Sequence, residues 1–273
     1  MNISKILVAT DFTVESDRAI EHAIVIAKAS SAQIFVLHVV KEDKETSKAK
    51  MKIQAQVEGK AVGVEFSSIV RVGSFISEIG HSAAEVGANI IIMGTHGAKG
   101  VFQKTTGGDA MKVVSRSEKS FIVVQDKGVK STGYDDIIVP LDMTDDSKQK
   151  LAEVADIAKY FNSKVHIIAR FEKDSSLFHK LKNNVKFAKK YFAEKGLAMN
   201  VIVSDPKAGS FDKQMMEYAK EVDADLIAII NSQKWNVFGG LFSNKREDEI
   251  ITNSAKIPVL CVNPIDVKGD YSM

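Results

Sequence analysis

The residues best placed to do chemistry are two glycine clusters. Ile90-Ile91-Ile92-Met93, a continuous apolar run, leads straight into Gly94-Thr95-His96-Gly97, and Gly107-Gly108 follows after nine intervening residues. Glycines after a strand let the backbone approach a ligand and turn its N–H groups toward it. Gly107-Gly108 stands just ahead of a helical stretch containing Met111 and Val113, where free N–H groups and the helix dipole favour an anion. Taken on spacing alone, a polyphosphate cradle and plain turn chemistry both account for these glycines.

Such loops need a framework that sets strand ends side by side. Residues 6–9 form an apolar run suited to a strand buried on both faces. Ala19, Ile20, Ala23, Ile24 and Ala27 then recur at helical spacing, with Thr13 as the cap. Residues 34–40 read as a second strand. A polar helix, a strand at 66–70, a helix around 76–85, the strand at 90–93, a helix through Val113 and a strand at 121–124 follow. Strands alternating with helices predict right-handed parallel crossovers and a doubly wound, Rossmann-like sheet. In such sheets ligands sit beyond the carboxyl ends of the strands, where the strand order reverses.

The pattern occurs twice. Ile6-Leu7-Val8-Ala9-Thr10-Asp11-Phe12-Thr13 is matched by Ile137-Ile138-Val139-Pro140-Leu141-Asp142-Met143-Thr144, with the aspartates 131 residues apart. Gly73-Ser74-Phe75 is matched by Gly209-Ser210-Phe211, and Ala88-Asn89-Ile90 by Ala224-Asp225-Leu226, both at a spacing of 136. This period is too long for a solenoid unit and marks a duplicated domain. The expected organisation is two tandem five-stranded, mostly parallel α/β domains, at residues 1–128 and 134–273. The polar, glycine-containing stretch 126–135 joins them.

Composition excludes several classes. Lys and Arg number 37 against 35 Asp and Glu, a net charge of +2, which argues against a nucleic-acid partner. The lysines between 41 and 60 are interleaved with acids and read as a solvated helix face. No apolar run reaches membrane-spanning length and no signal-peptide pattern opens the chain, so the expected compartment is the cytoplasm, without membrane contact. The single cysteine, Cys261, lies in an apolar strand pattern and reads as a core residue. The six histidines lack metal-ligand spacing, and no nucleophile elbow or Walker lysine loop is present. The expectation is no catalytic residue and no metal site, with slow nucleotide hydrolysis at most.

The arrangement Gly94-x2-Gly97-x9-Gly107 resembles the ATP-binding signature of the universal stress protein family, as do Ala9-Thr10-Asp11-Phe12-Thr13 and Leu37-His38-Val39. The resemblance spans the chain as two copies. It implies an adenine nucleotide alpha hydrolase-like fold and a stress-response or signalling role, with ATP or another adenine nucleotide as ligand, with or without magnesium. It also implies the site. Asp11 contacts the ribose with Ala9 beside it, Val39 meets the adenine through its backbone, and Met93 packs against base and sugar. Gly94, Gly97, Gly107 and Gly108 cradle the phosphates, and His96 shapes that loop. The family's hydroxyl residue after the last glycine is Gly108 here. In the second copy Asn231-Ser232-Gln233-Lys234 replaces the first glycine cluster and residues near Asn244-Lys245-Arg246 replace the second. Only Asp142 survives, so the nucleotide is expected in the first copy alone. An interaction scaffold, or a binder of another small ligand, stays open. The family's pairing through last strands implies that 121–124 and 259–262 form an intramolecular pseudo-dimer. A homodimer of two chains also remains open.

Overall fold

The computed structural model describes residues 2–60, 62–95, 113–114, 116–231 and 249–264. The first half contains β1 (Lys5–Ala9), α1 (Val14–Ser30), β2 (Gln33–Val40), α2 (Thr46–Val57), β3 (Phe66–Val72), α3 (Phe75–Val86), β4 (Ile90–Gly94) and β5 (Ser120–Val124). The second contains β6 (Asp136–Leu141), α4 (Lys150–Phe161), β7 (Lys164–Ala169), α5 (Ser175–Glu194), β8 (Met199–Val203), α6 (Phe211–Glu221), β9 (Leu226–Ile230) and β10 (Val259–Val262). Every strand predicted from the apolar runs is present, with ends shifted by a residue or two.

The two five-stranded units lie edge to edge in one ten-stranded sheet, ordered β3-β2-β1-β4-β5-β10-β9-β6-β7-β8. All pairings within a half are parallel. At the centre β5 and β10 run antiparallel, with Val123 opposite Val259, Ile122 opposite Leu260 and Phe121 opposite Cys261. The register is symmetric about Ile122 and Leu260. The strands of the two halves therefore point in opposite directions, and their carboxyl ends lie on opposite edges of the sheet. The pairing removes the edge that each half would otherwise expose at its last strand.

Two apolar layers cover the sheet. One packs α1, α2, α4 and α5 against residues such as Ile6, Val8, Ile137 and Val139. The other packs α3 and α6 against Leu7, Ile91, Ile138 and Ile227. The continuous apolar runs of the strands follow from burial on both faces. Helix ends are set by local chemistry. Thr13 caps α1 by accepting from the Ser16 N–H, Ser210 caps α6 through the Lys213 N–H, and Gly87 ends α3 in the left-handed region at φ 68°. Cys261 is fully buried in β10.

The connection between the halves is anchored along its length. Tyr134 is fully buried, its ring edge-on to Phe161, and its hydroxyl lies 2.8 Å from His22 Nδ1 on α1. The Lys127 carbonyl lies 3.2 Å from His22 Nε2. Lys130 reaches Asp223 at 3.0 Å and the buried Asp225 at 2.9 Å. Asp225 in turn accepts from the Asp135 and Asp136 N–H groups at 2.9 and 3.1 Å.

Candidate functional site

In the first half the strand order reverses between β1 and β4. The helices after β1 and β2 lie on one face and α3 lies on the other, so a crevice opens at the carboxyl ends of these two strands. Ala9 and Met93 are register partners across it, and Val39 is the second-last residue of β2 alongside. Ala9, Met93 and Val39 share the α3 side of the sheet with Phe75 and Ile79. Asp11 sits on the loop from β1 to α1. Its Oδ1 accepts from the Thr13 N–H at 3.1 Å and the Thr13 hydroxyl at 2.5 Å, while Thr13 caps α1. The carboxylate is thereby fixed beside the positive end of a 17-residue helix. The structure thus gathers Ala9, Asp11, Val39, Met93 and Gly94 on one crest. His96, Gly97, Gly107 and Gly108 lie outside the described residues.

Gly94 has a role that the sequence reading did not anticipate. A Cβ there would stand 2.8 Å from Glu15 Cβ and 3.0 Å from the Glu15 carbonyl carbon. The glycine is required because the first turn of α1 comes down onto the end of β4. That approach brings the helix N-terminus to the crevice.

On the other face of the same edge, Thr10 donates to Gln56 Oε1 at 2.8 Å and Gln56 donates to Asp17 at 2.8 Å. Phe12 adopts φ 65° and packs its ring on His38, centroids 4.5 Å apart. His38 Nδ1 lies 2.7 Å from the Thr10 carbonyl. These contacts brace the β1–α1 loop from behind.

The second half repeats the aspartate but not the crevice. Asp142 Oδ1 accepts from the Thr144 N–H at 2.9 Å and hydroxyl at 2.6 Å, the same turn as at Asp11. The backbone bonds show which residue replaces Gly94. Thr95 N–H bonds the Val124 carbonyl, and Asn231 N–H bonds the Val262 carbonyl. Ile230, paired with Val262, therefore occupies the place of Gly94, and Asn231 that of Thr95, one residue from the match suggested by sequence. With a branched side chain there, a helix turn as close as Glu15 would collide. The corresponding stretch forms a 3-10 turn, Asp146–Lys148, and α4 begins eight residues after Asp142, where α1 begins three after Asp11. Asp145 pairs with Lys148 at 2.8 Å.

Lys150 is a further residue missed from sequence. It is 1% exposed and donates to Ser147 Oγ at 3.2 Å. Burial lowers its pKa to about 8, against the raising influence of Asp142. The signal was available, because the 131-residue repeat places Lys150 opposite Ala19 in an otherwise apolar helix face. Asn184 closes the same corner, donating to the Asp142 and Thr144 carbonyls at 2.9 Å each. The carbonyls that follow β6 are thus consumed internally.

His22, His38 and His166 do structural work. His166 bridges Asp136 at 2.7 Å and the Tyr218 hydroxyl at 2.9 Å, and His22 holds the interdomain connection. Among the described residues no group of three His, Cys, Asp or Glu side chains could hold a metal ion, and no helix is long and apolar enough to cross a membrane.

Comparison with known proteins agrees with this reading. Residues 2–125 match the model of the universal stress protein family. A universal stress protein of Methanocaldococcus jannaschii is 27% identical over 154 residues, covering 45% of this chain and 95% of that protein. The fold superposes on a universal stress protein of Archaeoglobus fulgidus with a TM-score of 0.73 at 18% identity, over 96% of this chain and 97% of that one. It superposes on a putative universal stress protein of Pseudomonas aeruginosa with a TM-score of 0.67 at 17% identity, over 96% and 94%. Both structures share the fold along nearly the whole chain. Residues 2–125 thus match the universal stress protein family, and the same architecture is repeated in the second half of the chain.

Proposed function

We propose that the first half binds one adenine nucleotide, ATP or a close relative, at the crest of β1, β2 and β4, and that the second half binds none. The protein acts through this binding as a stress-response or signalling module, with little or no catalysis. The observation that carries the reading is the meeting of Asp11, Met93 and Gly94 with the N-terminus of α1 at the point where the strand order reverses. The Asp11 carboxylate can accept from ribose hydroxyls. The Val39 backbone and the Met93 side chain offer an edge and a surface to the base. The helix N-terminus favours the anionic phosphates, and magnesium, when present, would arrive on those phosphates. Hydrolysis is expected to stay near background.

In the second half Ile230 and the retracted start of α4 remove the close helix approach, and Asn184 caps the Asp142 loop. On this reading the chain works as an intramolecular pseudo-dimer with one working site, which the central β5–β10 pairing supports. The direct test is to denature freshly purified protein and identify released small molecules by mass spectrometry, alongside a Gly97→Glu, Gly107→Glu variant. Adenine nucleotide near one per chain, absent from the variant, supports the reading. An empty protein that also ignores added ATP would leave an interaction scaffold, with Gly108 as the first suspect.

A further inference from the structure

The two halves also differ on the side of the aspartate turn that faces the second helix. In the first half the loop after β1 leans toward α2 through Phe12. Its ring lies 4.5 Å from that of His38, with the Lys52 ammonium 5.1 Å from the ring centre. The 131-residue repeat places Met143 opposite Phe12 and Ala169 opposite His38. Two rings are thus exchanged for a flexible chain and a methyl group. An open cleft of about 490 Å³ is left between the loop after β6 and α5.

The lining of the cleft is chemically divided. Met143 and Leu177 supply apolar surface, and Lys148 and Lys180 supply two cations. Lys148 holds Asp145 at 2.8 Å. That bond keeps the Asp145 carboxyl below its ordinary range, and Lys180 adds to the effect through space. Asp145 therefore sits in the field of both lysines, although its side chain is 93% exposed. Lys180 forms no ion pair with another described residue. Asn184 also lines the cleft and is only 4% exposed. Its Nδ2 donates to the Asp142 and Thr144 carbonyls at 2.9 Å each, which fixes the orientation of the amide. Its Oδ1 accepts from no other described residue. Buried acceptors in folded proteins find a donor, and the donor for this one has to come from within the cleft.

We propose that this cleft binds a phosphate monoester of a small hydroxylated molecule, the size of a sugar phosphate. Lys148 and Lys180 take the dianionic phosphate, a ligand hydroxyl donates to Asn184 Oδ1, and the carbon skeleton lies against Met143 and Leu177. Asp145 is the internal stand-in for the phosphate and swings into solvent when the ligand enters. A neutral polyol would leave the two lysines without a function, and a bare anion would leave Asn184 Oδ1 unmet. Apolar surface beside a few convergent polar groups is the usual make-up of a small-molecule site. The cleft lies on the α4–α5 side of the sheet, whereas the first-half crest faces α3, the counterpart of α6. The inference is therefore independent of the adenine nucleotide reading.

The test is isothermal titration of the full chain with glucose 6-phosphate and glycerol 3-phosphate, beside inorganic phosphate and glucose alone. One sugar phosphate should bind per chain, about tenfold or more tighter than inorganic phosphate, with glucose silent. Lys180→Ala should weaken binding about tenfold through loss of a charge-assisted bond. Asp145→Asn should tighten it several-fold, because the competing carboxylate is gone. Leu177→Trp, at a half-buried position, should fill the cleft and abolish binding with an unchanged melting curve, which places the ligand in the second half. Lys182→Ala, on the same helix but outside the cleft, should leave the affinity unchanged. Absence of binding by both phosphate esters at millimolar concentration would overturn the proposal. So would equal affinity for inorganic phosphate, full binding by folded Leu177→Trp, weaker binding by Asp145→Asn, or an equal loss in Lys182→Ala and Lys180→Ala.

Discussion

At Gly94 and Asp11 the fold and the proposed site meet in single residues. Gly94→Ala places a methyl group 2.8 Å from Glu15 Cβ, so α1 must move. Overpacking of this kind costs roughly 1–3 kcal/mol, and thermal unfolding should show the lower midpoint. The variant should also bind adenine nucleotide more weakly, because the displaced turn is the one proposed to face the phosphates. His22 gives a pH prediction. Burial beside Tyr134 lowers its pKa to about 4 from 6.5, against the raising influence of the hydrogen bond to the Lys127 carbonyl. The unfolded chain therefore takes up a proton between these values while the native chain does not. Stability should fall as pH drops from about 6.5 to about 4, by roughly 3 kcal/mol in total. Chemical denaturation across that window checks this, and His22→Gln should remove most of the slope. Such roles were only partly legible. The glycines stood out by type and spacing, and Asp11 by the repeat and the family resemblance. The partners of His22 lie 105 and 112 residues away, and no local pattern encodes them.

At the scale of elements, the apolar runs and the internal repeat indicated where the strands lie, because a strand buried on both faces has little choice of composition. What periodicity did not reveal is where a helix begins. The bodies of α1 and α4 match residue for residue at a spacing of 131, with Ile20 opposite Leu151 and Ala27 opposite Ala158. Their starts nevertheless differ by five residues on that alignment, because Ile230 stands where Gly94 does. Ile230→Gly alone should not create a second nucleotide site, since Lys150 and Asn184 still occupy the corner. Titration of that variant should give the same stoichiometry as the parent chain. The start of β6 depends on Asp225, which is 5% exposed and receives two backbone N–H groups and Lys130. Asp225→Ala leaves the two backbone donors unpaired and Lys130 with Asp223 alone. It should cost about 2–4 kcal/mol, read from denaturant midpoints.

For the whole molecule, the antiparallel seam between β5 and β10 and the buried Tyr134 make the halves one mechanical unit. Leu260→Asp, at the centre of the seam, buries a charge among Ile122 and its neighbours. It should separate a single cooperative melting transition into two or abolish folding, as calorimetry would show. The seam was legible as two apolar last strands. The polar anchors of the connection were not, because residues 126–135 carry loop composition whether or not they are tied down. Opposed strand directions place the two Asp-x-Thr turns on opposite edges of one sheet, and the asymmetry between them is the central claim of one nucleotide per chain. Isothermal titration of ATP into nucleotide-free protein, beside Asp11→Ala and Asp142→Ala, tests it most directly. The account predicts one site per chain, affinity reduced at least tenfold in Asp11→Ala, and unchanged binding in Asp142→Ala. Two sites per chain, no binding, or a loss confined to Asp142→Ala would contradict it.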